Sequence, residues 1–295
     1  MRRLPDKAPK RTEVAYAIVA PGRDGVLTPQ KLVAEAAALG LRAIAVADHD
    51  NIDAIPEALK AGEQAGIEVI PAVELSVVWQ DYRDLHLLGY AFDHRDQRLQ
   101  EALATFRAFR VRRTARILDN INRQLASEGR LPLDFDQVQQ LATGTIGRPH
   151  IGQALIAAGY ASGMEDAFRR YLVPGNEPKR FFPIEDAIQL VHRAGGCTVL
   201  AHPPFIGVDE TTLDSLLQTF ITMGLDGLEA YNTGAGNDAI DRSITLARQR
   251  GLIVTGGSDF HQPAAGGIRM GVGRGNLKIP YRCVEEIRMA AARYR

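Results

Sequence analysis

Strand-length apolar runs alternate with amphipathic helical patterns along most of the chain, and this alternation limits the fold more than any other feature. "EVAYAIVA" and "RAIAVADHD" read as strands. "TPQKLVAEAAALG" between them reads as a helix, with Thr28 as N-cap, Pro29 at the first position and Gly40 at the C-cap. The helix "AIPEALKAGEQAG" and the strands "IEVIPAVELSV" and "DLHLLGYAF" follow. Later come "CTVLAHP", "GLEAYN" and "LIVTGGSDFH", separated by three helical stretches, and a last helix runs from about Tyr281 to the end. Such alternation predicts a parallel α/β architecture. Residues 96–182 interrupt it, with several helical segments and no clear strand. The expected organisation is therefore a barrel from residues 1–95 and 183–295 with a helical insertion at 96–182.

The 295 residues supply ample apolar material for one large barrel, and Lys plus Arg balance Asp plus Glu at 35 each. With no net charge, no global field draws the chain to nucleic acid or to an anionic membrane, so any nucleic-acid contact must be local. Cys197 and Cys283 form neither a framework nor a CxxC pair, which fits packing roles in a reducing cytoplasm. No export signal or membrane span is expected.

Groups able to bind metal collect at strand ends, where a parallel barrel builds its active site. They are Asp48 and His49, Glu74, His86, His202, and Asp259 with His261. Of seven histidines, four fall at these ends and a fifth, His150, lies in "GRPHIG"; only His94 and His192 lie elsewhere. Each has an ordinary alternative. A strand-end His is often a core residue, Asp50 or Asn51 suits a helix N-cap, and "SDFH" alone is a turn. Together they point to a multinuclear metal site, since imidazole with carboxylate suits Zn, Mn or Fe and one carboxylate can bridge two ions.

"VADHDNIDA", "PAVELS", "DLHLLGY", "GRPHIGQALIAAGY", "AGGCTVLAHPP" and "TGGSDFHQP" resemble, in that order, the polymerase and histidinol phosphatase (PHP) family. Within it they look most like the branch of 5′–3′ exoribonucleases and 3′,5′-nucleoside bisphosphate phosphatases. The resemblance runs from about Val14 to Val272. It implies a distorted seven-stranded β/α barrel, a (β/α)7 TIM-like fold, holding two or three divalent metal ions. By position it groups Asp24, His49 and His261 at one ion and Glu74, His86 and His202 at a second, with Glu74 as bridge. Asp259 then serves the remaining ion, and Asp48 orients the ligands from behind. Two departures stand out. The family's first-strand His-x-His pair falls here on Ala17 and Val19, which bind no metal, and Asn232 stands where relatives often show His.

The implied reaction is hydrolysis of a phosphate ester by water that metal ions acidify. Arg148 is read as a phosphate clamp, with a helix-start role as its alternative. His150 is read as a general acid or phosphate donor, or as a packing residue at the helix start. The expected substrate is a nucleoside 3′,5′-bisphosphate or short 5′-phosphorylated RNA, with no membrane and no stable duplex DNA as partner. A weakened paralogue that only binds a phosphorylated ligand is the rival, motivated by Ala17 and Val19. Amidohydrolase chemistry ranks third, because no lysine stands at a strand end to bridge metals. In the insertion, Arg107, Arg110, Arg112, Arg113 and Arg116 form a basic stripe, read either as a solvated face or as a contact to RNA phosphates.

Overall fold

Helix α1 (Pro29–Ala38) starts where Thr28 accepts the Lys31 backbone N–H at 3.4 Å, with Pro29 in its first turn. It ends before Gly40, whose φ of +75° is the left-handed exit that favours glycine. The structure is a computed structural model that describes residues 18–19, 27–141, 146–260, 267–275 and 277–295; the side chains of residues 18, 19 and 84 also lie outside the description. Asp24, Ala17 and His261, named above as site positions, lie outside the described residues, as does the side chain of Val19.

The described chain divides into two compact units, residues 1–100 with 182–295, and Glu101–Phe181. In the first unit the chain runs β1 (Ile18–Val19), α1, β2 (Ala43–His49), α2 (Ile55–Ala65), β3 (Glu68–Trp79) and β4 (Tyr82–Tyr90). Helix α3 (Gln97–Ser127) carries it into the second unit. There α4 (Phe135–Gln140), α5 (Arg148–Ala157), α6 (Met164–Ala167) and a π turn over Phe168–Leu172 enclose a core of Ile117, Ile121, Leu125, Ile151, Leu155 and Tyr171. The first unit resumes with β5 (Phe182–Pro183), α7 (Ile184–Arg193), β6 (Cys197–Leu200), α8 (Glu210–Thr222), β7 (Gly227–Asn232), α9 (Asn237–Gln249), β8 (Ile253–Gly257) and α10 (Arg282–Ala291).

Seven strands form one path, β1-β2-β3-β4-β6-β7-β8, and β5 adds to β3. The sheet curls into a half-barrel flanked by helices, a distorted TIM-like barrel, and β8 comes back within 8 Å of β1. The expectation of an all-parallel sheet is corrected, because β4 runs antiparallel to both β3 and β6. The reason lies in the connection. Only Gln80 and Asp81 separate β3 from β4, and a parallel return needs a crossover of a dozen or more residues. Gln80 takes φ +50° to make this hairpin.

The faces of β2 explain the layout. Ile44 and Val46 are buried against Leu32, Val33 and Ala36 of α1 and Ala58 and Ala61 of α2. By strand alternation, Ala43, Ala45, Ala47 and His49 then point to the other, inner face. Small residues there leave room, and the one large polar side chain stands at the carboxyl end. Cys197 and Cys283 are buried and free. No described helix is long and apolar enough to cross a membrane.

Candidate metal centre

Register brings the polar strand ends together. His49 on β2 pairs with Glu74 on β3, and Ser76, two residues on and on the same face, pairs with His86 on β4. The Ala201 N–H donates to the His86 carbonyl at 3.0 Å, which places His202, just past β6, beside His86. Four expected ligands therefore meet from four strands.

Glu74 is the pivot. Its Oε1 lies 2.6 Å from His86 Nδ1 and 3.1 Å from His202 Nε2, and its Oε2 lies 3.7 Å from His49 Nε2. His86 Nδ1 and His202 Nε2 are themselves 3.0 Å apart. Among the described residues, His49, Glu74 and His86 form a group whose ligand atoms all lie within 4.8 Å of one another. Two ring nitrogens and a carboxylate oxygen converge here. Imidazoles with a carboxylate are a donor set that fits Zn, Mn or Fe.

Burial pushes the Glu74 carboxyl up, but the charge of His49 and hydrogen bonds from His202 and His86 outweigh it and hold the group well below the usual carboxylate range. Burial lowers His202, yet the hydrogen bond and charge of Glu74, with Glu229 and Asp259 near by, lift it to about 9.

Further polar groups position these side chains. Glu229 is buried on β7; its Oε2 accepts the His202 backbone N–H at 2.7 Å and Asn232 Nδ2 at 3.2 Å. Burial raises its pKa to about 8, against the lowering effect of His202. A carboxylate inside the buried run "GLEAYN" was the signal for it. The other end of Asn232, Oδ1, accepts the Gly234 N–H at 2.8 Å, so both ends of this amide are engaged within the chain.

Asp50 corrects its helix-cap reading. Helix α2 has Ala54 at its N-cap, with no side-chain cap bond. Asp50 is buried instead, and accepts from the Ser76 backbone N–H at 2.8 Å and from Ser76 Oγ at 3.0 Å. Its own N–H donates to the Glu74 carbonyl at 2.9 Å. Asp50 thus ties the end of β2 to both sides of Glu74. It takes φ +51°, and His202 and Asp259 take +27° and +49°. Left-handed backbone is costly in non-glycine residues and collects where surrounding structure over-determines a site. Asp48 is buried, and alternation sets it on the face of Ile44 and Val46, opposite His49.

Arg148 and His150 belong to the helical unit. Arg148 opens α5 with its guanidinium carbon 5.4 Å from the centre of the Phe168 ring. His150 is buried, and its Nδ1 accepts the Gly147 N–H at 3.1 Å, the returning half of a capping box. That bond favours the tautomer with its proton on Nε2.

Residues 22–172 match the PHP domain. A 5′–3′ exoribonuclease of Haemophilus influenzae is 33% identical over 251 residues, covering 84% of this chain and 89% of the relative. A 3′,5′-nucleoside bisphosphate phosphatase of Chromobacterium violaceum is 30% identical over 253 residues, covering 84% and 87%. Among solved structures, one from Bifidobacterium adolescentis, assigned as a metal-dependent phosphoesterase, aligns at TM-score 0.75 and 31% identity, over 94% of this chain and 95% of that one. Another from Chromobacterium violaceum, described as an amidohydrolase with bound sulfate and no metal, aligns at 0.72 and 28%, over 85% and 88%. With its curled mixed sheet and its histidines converging on Glu74, the chain belongs to the PHP domain family, as a metal-dependent phosphoesterase.

Proposed function

We propose that the chain hydrolyses nucleotide phosphate esters, either nucleoside 3′,5′-bisphosphates or the 5′ ends of short RNA. The observation that carries this reading is the convergence of His86, His202 and His49 on the two oxygens of Glu74. In it, Glu74, His86 and His202 would hold one divalent cation and His49, with Asp24 and His261, a second, while Asp259 would serve a third held only loosely for want of His at 17 and 19. When bound, such ions screen the phosphate's charge, orient it and acidify water. The chain's own groups do the rest. Glu74 fixes three imidazoles through one carboxylate, Glu229 holds the His202 backbone, and Asp50 with Ser76 locks the β3 segment that carries Glu74. His150, whose Nδ1 accepts the Gly147 N–H at the helix start, is read as a general acid or phosphate donor. Arg148 supplies a guanidinium for phosphate. The reading places the work in the cytoplasm, where the two free thiols survive.

A nucleotide substrate is supported by relatives named for RNA and for nucleoside bisphosphates. The test is phosphate release from nucleoside 3′,5′-bisphosphates and nucleotide release from 5′-phosphorylated RNA, with Mn, Zn or Fe added. Turnover of either substrate is expected. No turnover of either with any metal sinks the reading. A second reading, ligand binding with weakened turnover, rests on Ala17 and Val19 alone; tight binding of a bisphosphate with trace hydrolysis would favour it.

A further inference from the structure

The zero net charge conceals a division. Residues 101–181 carry 12 Lys and Arg against 8 Asp and Glu, net +4, which leaves 23 against 27, net −4, in the barrel unit. Part of the excess lies on α3, and the structure sorts the predicted arginine stripe into two kinds. Arg113 is buried and turned inward. Its Nε donates to the Glu177 and Pro178 carbonyls at 2.8 and 3.1 Å, and its Nη2 donates to Asn176 Oδ1 at 2.7 Å. It pins the 176–178 segment against the helix and is spent on the fold.

Arg112 and Arg116 are exposed, and neither makes a hydrogen bond or ion pair with any described residue. They flank a cleft of about 270 Å³ whose other walls are Phe109, Arg113, Glu177 and Pro178. Phe109, Arg112 and Arg116 recur at steps of three and four, so they share one helix face. Just past Pro178, the exposed Lys179 and Arg180 lie over the rings of Phe181 and Phe106, at 5.9 and 5.1 Å. Glu177 is the one acid in the wall, and its Oε1 already accepts from Asn120 Nδ2 at 3.0 Å.

We propose that this cleft binds one nucleotide unit of a single-stranded RNA, with phosphates on Arg112 and Arg116 and a base against Phe109. Guanidinium groups with no carboxylate partner among the described residues match phosphate oxygens in a fork, and an aromatic face takes any base without sequence preference. Glu177 Oε2 accepts a ribose 2′-hydroxyl, the group that separates RNA from DNA. The volume lies just under the ~300–1,000 Å³ of whole small-molecule pockets, which suits one unit of a strand. The proposal rests on the nucleotide-phosphoesterase reading for its ligand class and narrows it, since a strand-holding site on the helical unit favours oligonucleotides over mononucleotides.

The experiment is fluorescence anisotropy of a short labelled single-stranded RNA with the full chain, in chelator to stop turnover, across a salt series. Arg112→Ala with Arg116→Ala is expected to weaken binding roughly tenfold or more at low salt. It should also flatten the plot of log K against log salt by about 1.4, two contacts at about 0.7 each. Phe109→Ala should weaken binding with the slope kept. Arg112→Lys with Arg116→Lys should recover the slope, which separates charge from folding. Unchanged affinity and slope in the double alanine variant would overturn the proposal, as would a lysine pair that fails to restore the slope. Because the readout needs no turnover, an inactive enzyme and an absent strand site give different results.

Discussion

At the scale of single residues, the account turns on groups that hold other groups. Asp50 accepts two hydrogen bonds from Ser76 while its own N–H holds the Glu74 carbonyl. Asp50→Ala leaves two buried donors without an acceptor, and about 2 kcal/mol of stability should be lost in urea denaturation. Metal retention should fall with it, because Glu74 loses its brace; a variant with full stability and full metal content would show that Asp50 does nothing for the site. The cluster around Glu74 was legible in the sequence because a histidine or carboxylate closing an apolar run has few ordinary uses. The braces were not. Asp50 looked like a helix cap because it precedes α2 by a few residues, and only the β2–β3 register reveals Ser76 as its partner. Glu229 is hidden mid-strand, where a lone charge is legible only once His202 is known to sit beside it.

At the scale of elements, the barrel depends on how its last helix is attached. Glu286 on α10 accepts from both Nη atoms of Arg248 on α9, at 2.7 and 2.6 Å, and from the Val254 N–H of β8 at 2.9 Å. Burial would raise its pKa, but the hydrogen bonds from Arg248 and Val254, with the charges of Arg248 and Arg282, hold it below its ordinary 4.5. The folded carboxyl therefore binds its proton less readily than the unfolded one. The clamp's contribution is complete above pH 4.5 and is lost as pH falls through the lowered folded value. Glu286→Gln should cost about 2 kcal/mol at neutral pH, and the gap to the wild type should close as the pH drops below that point. A gap that stays constant on acidification would remove the charge from the explanation. The β3–β4 hairpin departs from the parallel direction that strand–helix alternation implies. Its strands were visible, but only a count of the residues left between them rules out a parallel return.

At the scale of the whole molecule, a mixed curled sheet brings four strands' worth of ligands to one point, and a separate helical unit carries the positive charge. If the family's first-strand His pair falls on positions 17 and 19, which hold Ala and Val, two imidazoles that the resemblance implies are missing. Ala17→His with Val19→His is expected to raise bound metal by up to one ion per chain and to speed phosphate release; a double variant that gains neither would mean these positions do not face the ions. Whether Glu74 organises a functional metal centre is read from the metal content of the purified chain and of Glu74→Gln, measured by plasma mass spectrometry after equilibration with Mn, alongside phosphate release from a nucleoside 3′,5′-bisphosphate. The account predicts about two ions per wild-type chain with turnover. In the variant, ion content should drop and turnover should fall by more than the ~10–100-fold that loss of an outer ligand partner costs. Equal metal content and equal turnover in the two proteins, or a wild-type chain that binds no metal and releases no phosphate, would contradict it.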